Sequence, residues 1–170
     1  MVLLLKNLLF TVLVPGTVAV YLPLSIAGGE PVPAGPGRLL AAALFLLGAA
    51  VYGWCVWDFA AFGRGTPAPI DAPRRLVVRG LYRYTRNPIY LGVLTAILGW
   101  VVLYRTRELA VYGLAVALAF HLIVLLYEEP QLRRLFGDEY EAYCARVRRW
   151  LPGPHPAPAP PPPPASPPTC

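Results

Sequence analysis

A chain of 170 residues that is 56% hydrophobic and only 14% charged has the composition of a bilayer protein, not of a soluble domain of that length. Its net charge of +6 comes without a nucleic-acid-binding motif, a Gly-rich dinucleotide fingerprint or a P-loop, so the basic excess suits the anionic surface of a membrane.

Crossing the hydrocarbon takes about 20 mainly apolar helical residues. Four runs approach that length: residues 8–26, 39–61 (with Asp58 near its end), 89–104 and 109–127. Lys6 before the first run and Ala27, Gly28 and Gly29 after it also fit a secretory signal, a reading that leaves the later runs in the membrane. Only Arg105, Thr106, Arg107 and Glu108 separate the third run from the fourth, which predicts a tight antiparallel hairpin. Past the fourth run, Leu132, Leu135, Phe136, Tyr140, Tyr143 and Val147 recur at helical spacing opposite Asp138, Glu139 and Glu141, with Gly137 as an interruption. This predicts an amphipathic helix lying against the membrane or over a site. The expected fold is therefore all-α and polytopic, with four transmembrane helices and a C-terminal amphipathic helix in a unit covering residues 1–151. From residue 152 to 170 the composition collapses to Pro, Ala and Ser, predicting an extended tail.

With four spans, Lys6 and eleven arginines fall on one side, and only Arg38, Arg105 and Arg107 on the other. Basic loops stay cytoplasmic, which places both termini and the 62–87 loop there. Lys6 is the sole lysine, an arginine bias that points to a GC-rich bacterial genome and a plasma membrane. Cys55, Cys144 and Cys170 have no metal or disulfide spacing.

Two blocks on the cytoplasmic side carry the chemistry. In the first, Asn87 followed by Pro88 is a helix-start signal: Asn accepts from a free backbone N–H, and Pro suits the first helical position. The first turn then offers unpaired N–H groups and a positive dipole end to an anion, with Arg83 and Arg86 beside it. The same features fit any membrane helix that begins near arginines. The second block, Glu128-Glu129-Pro130, puts two carboxylates where a helix C-terminus disfavours them. Either Arg133 and Arg134 or a cationic ligand compensates.

At these residues the chain resembles the isoprenylcysteine carboxyl methyltransferases and their bacterial relatives among the membrane phospholipid methyltransferases. The resemblance covers residues 74–152, in the order Gly-x-Tyr, Arg-Asn-Pro-x-Tyr-x-Gly, Glu-Glu, Phe-Gly-x-Glu-Tyr-x-x-Tyr and Leu-Pro. It implies an S-adenosylmethionine pocket facing the cytoplasm and a lipophilic or lipidated acceptor arriving from the bilayer. Carried over by position, the cofactor contacts fall on Arg74, Arg75, Leu76, Val77, Tyr82, Asn87, Pro88, Ile89, Tyr90 and Glu128. Two departures stand out: the eukaryotic enzymes have His where this chain has Asn87, and their substrate-handling arginine aligns with Val124. The acceptor therefore does not carry over, and a carboxylate, amine, thiol or phenol remains open.

An amine or thiol would need a base. Glu129 and His121 are the candidates, His121 lying seven residues before Glu128 and so on the same helix face. Arg86 joins them as a group able to act on the acceptor. For His121 the alternative is a neutral histidine bonding another helix, and for Asp58 an ion pair with Arg64. The competing functional readings are an NADPH-dependent reductase of the sterol-reductase type and a non-enzymatic membrane protein of the same fold. No metal is expected.

Overall fold

The computed structural model describes residues 11, 13–58 and 76–151. Among these every regular element is a helix, as the apolar runs predict. We number the helices α1 (Thr17–Ile26), α2 (Gly37–Asp58), α3 (Pro88–Tyr104), α4 (Arg107–Phe136) and α5 (Asp138–Arg146). α2 and α4 are long and apolar enough to cross a membrane, while α1 and α3 are shorter apolar helices. Only 17% of the apolar window of α2 and 11% of that of α4 is buried within the protein. A soluble core helix would be mostly covered. Here Trp54, Trp57, Leu114, Leu118 and Leu126 point outward, as side chains solvated by lipid do.

Small residues bring the helices together. A Cβ at Gly48 would lie 2.6 Å from the Gly92 carbonyl oxygen, so α2 and α3 meet backbone to backbone. Further along the same interface, Phe45 fills the space above Gly99 and packs edge-on to Trp100 at 5.0 Å. α1 opens with a π-helical turn, Thr17–Tyr21. Two carbonyls of that turn accept from neighbouring helices: Ala19 from Trp100 Nε1 at 2.8 Å and Val18 from Tyr112 Oη at 2.6 Å.

The α3–α4 hairpin is tighter than expected, because Arg107 and Glu108 already belong to α4. Arg105 ends α3 in the left-handed region at φ 56°, and Thr106 caps α4 by accepting from Leu109 N. At its other end α4 also departs from expectation. It does not stop near residue 127 but runs through Pro130 to Phe136 as one helix of 30 residues. Its continuity rests on a π turn, Val124–Glu128, in which Glu129 N bonds to Val124 O. The turn sits just before Pro130, which has no N–H to give the preceding helical turn.

Gly137, at φ 48°, then reverses the chain into α5, as its predicted interruption required. Tyr140, Tyr143 and Val147 are buried against Leu76, Val78, Leu132 and Phe136, whereas Leu135 is exposed. Among the described residues Asp58 pairs with Arg79 at 3.5 Å; Arg64, its expected partner, lies outside them.

Candidate functional site

The candidate residues converge where α3 starts, α4 makes its π turn and residues 147–151 cross between them. Asn87 precedes α3 and Pro88 opens it, as the sequence predicts, but the Asn87 side chain caps nothing. Its amide donates to the Arg149 carbonyl at 3.0 Å instead. Thr85 Oγ1 donates to the same carbonyl at 3.1 Å, and Arg86 N to the Arg148 carbonyl at 3.0 Å. Three donors from the segment before α3 thus hold the C-terminal strap in place. The first turn of α3 is left without a side-chain cap, so its outward N–H groups stay available to an anion.

The paired glutamates separate into two environments. In an α-helix, residues five apart sit about 140° around the axis from each other. The π turn realigns them, and Val124 and Glu129 are both buried on the inner face, at 1% and 2% exposure. Glu129 is gripped by Arg149 through two bonds, at 2.6 and 3.0 Å. Arg86 at 3.4 Å and Arg133 at 3.7 Å complete the cluster. That surplus of cations explains a buried carboxylate in mid-helix. Glu129 is an ionised anchor with both oxygens engaged, a poor base. Arg86 pairs with Glu129 and donates to Cys144 Sγ at 2.6 Å. Of the two arginines expected to compensate the acid pair, Arg133 does so; Arg134 has no ion pair with it.

Among the described residues no arginine pairs with Glu128. It accepts a hydrogen bond from the Tyr90 hydroxyl across the α3–α4 interface and is only partly buried. The Tyr90 ring lies 4.5 Å from Phe120 and 6.5 Å from Trp150. Trp150 Nε1 in turn donates to His121 Nδ1 at 3.1 Å. His121 therefore does come near the Tyr90–Glu128 pair, but through Trp150, since the π turn breaks the simple seven-residue register. Beside them lies an open groove of about 330 Å³ lined by Leu91, Leu94, Ala117, His121 and Trp150.

The other predicted contacts form the wall behind α3. Val77 and Tyr82 pack with Cys55, and Ile89 and Leu81 close over them. Leu76 faces away, into the Tyr140–Tyr143 cluster. The Tyr143 hydroxyl donates to the Tyr82 carbonyl at 2.7 Å and fixes the turn Gly80–Arg83 beneath α3. Burial raises the hydroxyl pKa of Tyr82, Tyr140 and Tyr143 above the usual phenol value. Arg74 and Arg75 lie outside the described residues.

Sequence reasoning missed Arg149 and Trp150. Their signal was a weak one: a charged and an aromatic residue immediately before the closing Leu-Pro.

The residues can hold a zwitterionic, aromatic ligand. An uncapped helix start suits a carboxylate, the partly open Glu128 suits an ammonium, and Tyr90 and Trp150 offer faces to a ring. Apolar helices that leave most of their surface to lipid, with this polar site at one end, define a helical membrane protein. The family described as phospholipid methyltransferase matches residues 37–139, and the chain belongs to it.

Among relatives, the chain is 35% identical over 80 residues to methanethiol S-methyltransferase 1 of Bradyrhizobium diazoefficiens, a match covering 47% of this chain and 27% of that protein. It is 35% identical over 75 residues to methanethiol S-methyltransferase of Mycobacterium tuberculosis, covering 44% and 30%. A probable protein-S-isoprenylcysteine O-methyltransferase of Oryza sativa subsp. indica is 36% identical over 78 residues, covering 46% and 41%. The chain thus spans well under half the length of these relatives. No solved structure gives a significant match.

Proposed function

We propose that the chain is an S-adenosylmethionine-dependent methyltransferase acting on a lipophilic, membrane-borne acceptor at the cytoplasmic face. The observation that carries this reading is the Tyr90–Glu128 pair beside the uncapped start of α3, in a chain of a methyltransferase family. Glu128 takes the ligand's ammonium and the α3 start takes its carboxylate. Val77, Tyr82, Asn87, Pro88, Ile89 and Tyr90 form or back the pocket, Leu76 supports it from the Tyr140–Tyr143 cluster, and Arg74 and Arg75 are carried over as cofactor contacts by resemblance alone. Four spans put both termini in the cytoplasm of a bacterial plasma membrane, with residues 1–151 as the catalytic unit and 152–170 as a tail outside it.

The donor supplies a methyl group on a sulfonium, and transfer is in-line, so the protein's work is positioning. The reacting atoms must be held about 3–3.5 Å apart. Water must also be excluded. The strap at 147–151 serves both needs: Arg149 locks it onto Glu129, and Trp150 lies between the Tyr90 ring and the groove. The groove opens among Leu91, Leu94 and Ala117, apolar residues of α3 and α4 that suit a lipid-like tail.

Calorimetric titration of the detergent-purified protein with S-adenosylhomocysteine, and separately with NADPH, tests the reading. Saturable binding of the first is expected. Binding of NADPH alone assigns the site to a reductase, and binding of neither removes the enzymatic reading.

A further inference from the structure

The groove contains one side chain whose hydrogen-bonding polarity is set by its neighbour. An indole N–H only donates, so the nitrogen of His121 that meets Trp150 must be an acceptor. That nitrogen is Nδ1. In the neutral imidazole the proton then sits on Nε2, which has no protein partner among the described residues. His121 also lines the groove, with Leu91, Leu94 and Ala117 as its apolar surroundings. A lone N–H on an apolar wall, deep in α4, costs free energy unless a ligand accepts from it.

Resting on the methyltransferase reading above, we infer that His121 is a hydrogen-bond donor to the acceptor's head group, held in its Nε2–H form by Trp150, and not a base. The groove then selects amphiphiles whose head carries an accepting lone pair or negative charge, and rejects a protonated amine of the same chain length. Trp150 is the positioning residue. Its indole fixes the tautomer on one side, while Arg149, next in the strap, fixes Trp150 through Glu129.

The chain has two histidines, and His155→Gln leaves His121 alone for nitrogen NMR of the full, histidine-labelled protein in micelles. The expected spectrum has an unprotonated Nδ1 and a protonated Nε2. Dodecanoate is expected to shift the Nε2 resonance and dodecylammonium to leave it in place. His121→Leu should weaken dodecanoate binding about tenfold or more, the scale of one charge-assisted hydrogen bond. His121→Gln keeps both polarities, with its carbonyl toward the indole and its amide N–H toward the groove, and should bind within about threefold of the parent protein. Trp150→Phe should mix the two tautomers.

A proton on Nδ1, an equal response to both amphiphiles, or a glutamine variant as weak as the leucine variant overturns the inference. The methyltransferase reading fails separately, on absence of S-adenosylhomocysteine binding to the parent protein.

Discussion

Removing the carboxylate of Glu129 should cost more stability than removing its best partner, because the cluster is asymmetric. Glu129 Oε1 and Oε2 meet Arg149 at 2.6 and 3.0 Å, Arg86 at 3.4 Å and Arg133 at 3.7 Å, so one anion serves three cations. In Glu129→Gln three guanidiniums are left facing one another, and Arg86, 12% exposed, has a buried Nε without any partner. Breaking a buried pair costs about 3–5 kcal/mol. Arg149 and Arg133 are 29% and 45% exposed and water screens their share, which puts the loss near the lower end, about 3 kcal/mol. Arg149→Met leaves Glu129 with two cations and forfeits one bidentate contact, about 1.5–2 kcal/mol. Both substitutions remove the same contact, so the double variant should be more stable than the sum of the singles predicts, by about 1.5 kcal/mol. Unfolding by dodecyl sulfate titration in mixed micelles, followed by tryptophan fluorescence, measures all four proteins. Single effects that add to within about 0.5 kcal/mol, or a larger loss from Arg149→Met, would refute the asymmetry.

Glu128→Gln and Tyr90→Phe should each weaken S-adenosylhomocysteine binding about tenfold or more while the unfolding midpoint stays close to that of the parent; parental affinity in both moves the ligand elsewhere. Gly48→Ala should cost about 1–3 kcal/mol, because its Cβ meets the Gly92 backbone at 2.6 Å, and more than Gly99→Ala, whose Cβ at 2.7 Å meets only the movable Phe45 ring; micellar unfolding midpoints rank the two. Raised phenol pKa values at Tyr82, Tyr140 and Tyr143 mean that folding holds these protons more tightly than the unfolded chain does. Their contribution is complete below the unfolded value of about 10 and is lost as pH rises through the folded values, so stability measured from pH 8 upward should fall steeply beyond about 10, less so in Tyr143→Phe.

What the sequence made legible was local. Asn87-Pro88 announced the start of α3 by backbone chemistry alone, and the hairpin at Arg105 and Thr106 followed from a spacing too short for anything else. Tyr90 and Glu128 were singled out by resemblance, and the hairpin that makes their helices antiparallel is what brings them together. The parts that stayed hidden depend on tertiary partners. Arg149 and Trp150 sit outside regular structure, and their roles exist only because Glu129 and His121 point at them. Glu129 was a candidate base because an amine or thiol acceptor would need one, while its three cations come from residues 43 positions upstream, four downstream and twenty downstream. Arg79 reaches Asp58 only because of the turn at Gly80, which spacing along the chain does not show.

The π turn was equally invisible, and it makes a sharp claim about what α4 tolerates. Deleting one residue from an α-helix rotates everything beyond it by about 100°. A π turn already carries one residue more than the α-helical ladder requires, so a deletion inside it can restore i to i−4 bonding with both flanks near their original faces. Leu126 lies within Val124–Glu128 and is 70% exposed, so its removal takes almost no packing with it. Leu118 is 58% exposed but lies in the regular part of α4. Its removal would swing Leu109, fully buried at the hairpin, off its contacts, at about 2–5 kcal/mol for that residue alone. Deletion of Leu126 should therefore yield a folded protein that keeps the Arg149–Glu129 clamp, read as retained coupling in the same double-mutant cycle. Deletion of Leu118 should not. Equal tolerance of both deletions, or loss of the fold in both, would show that the wide turn does not set the alignment of Val124 with Glu129, and that the packing of the strap imposes it instead.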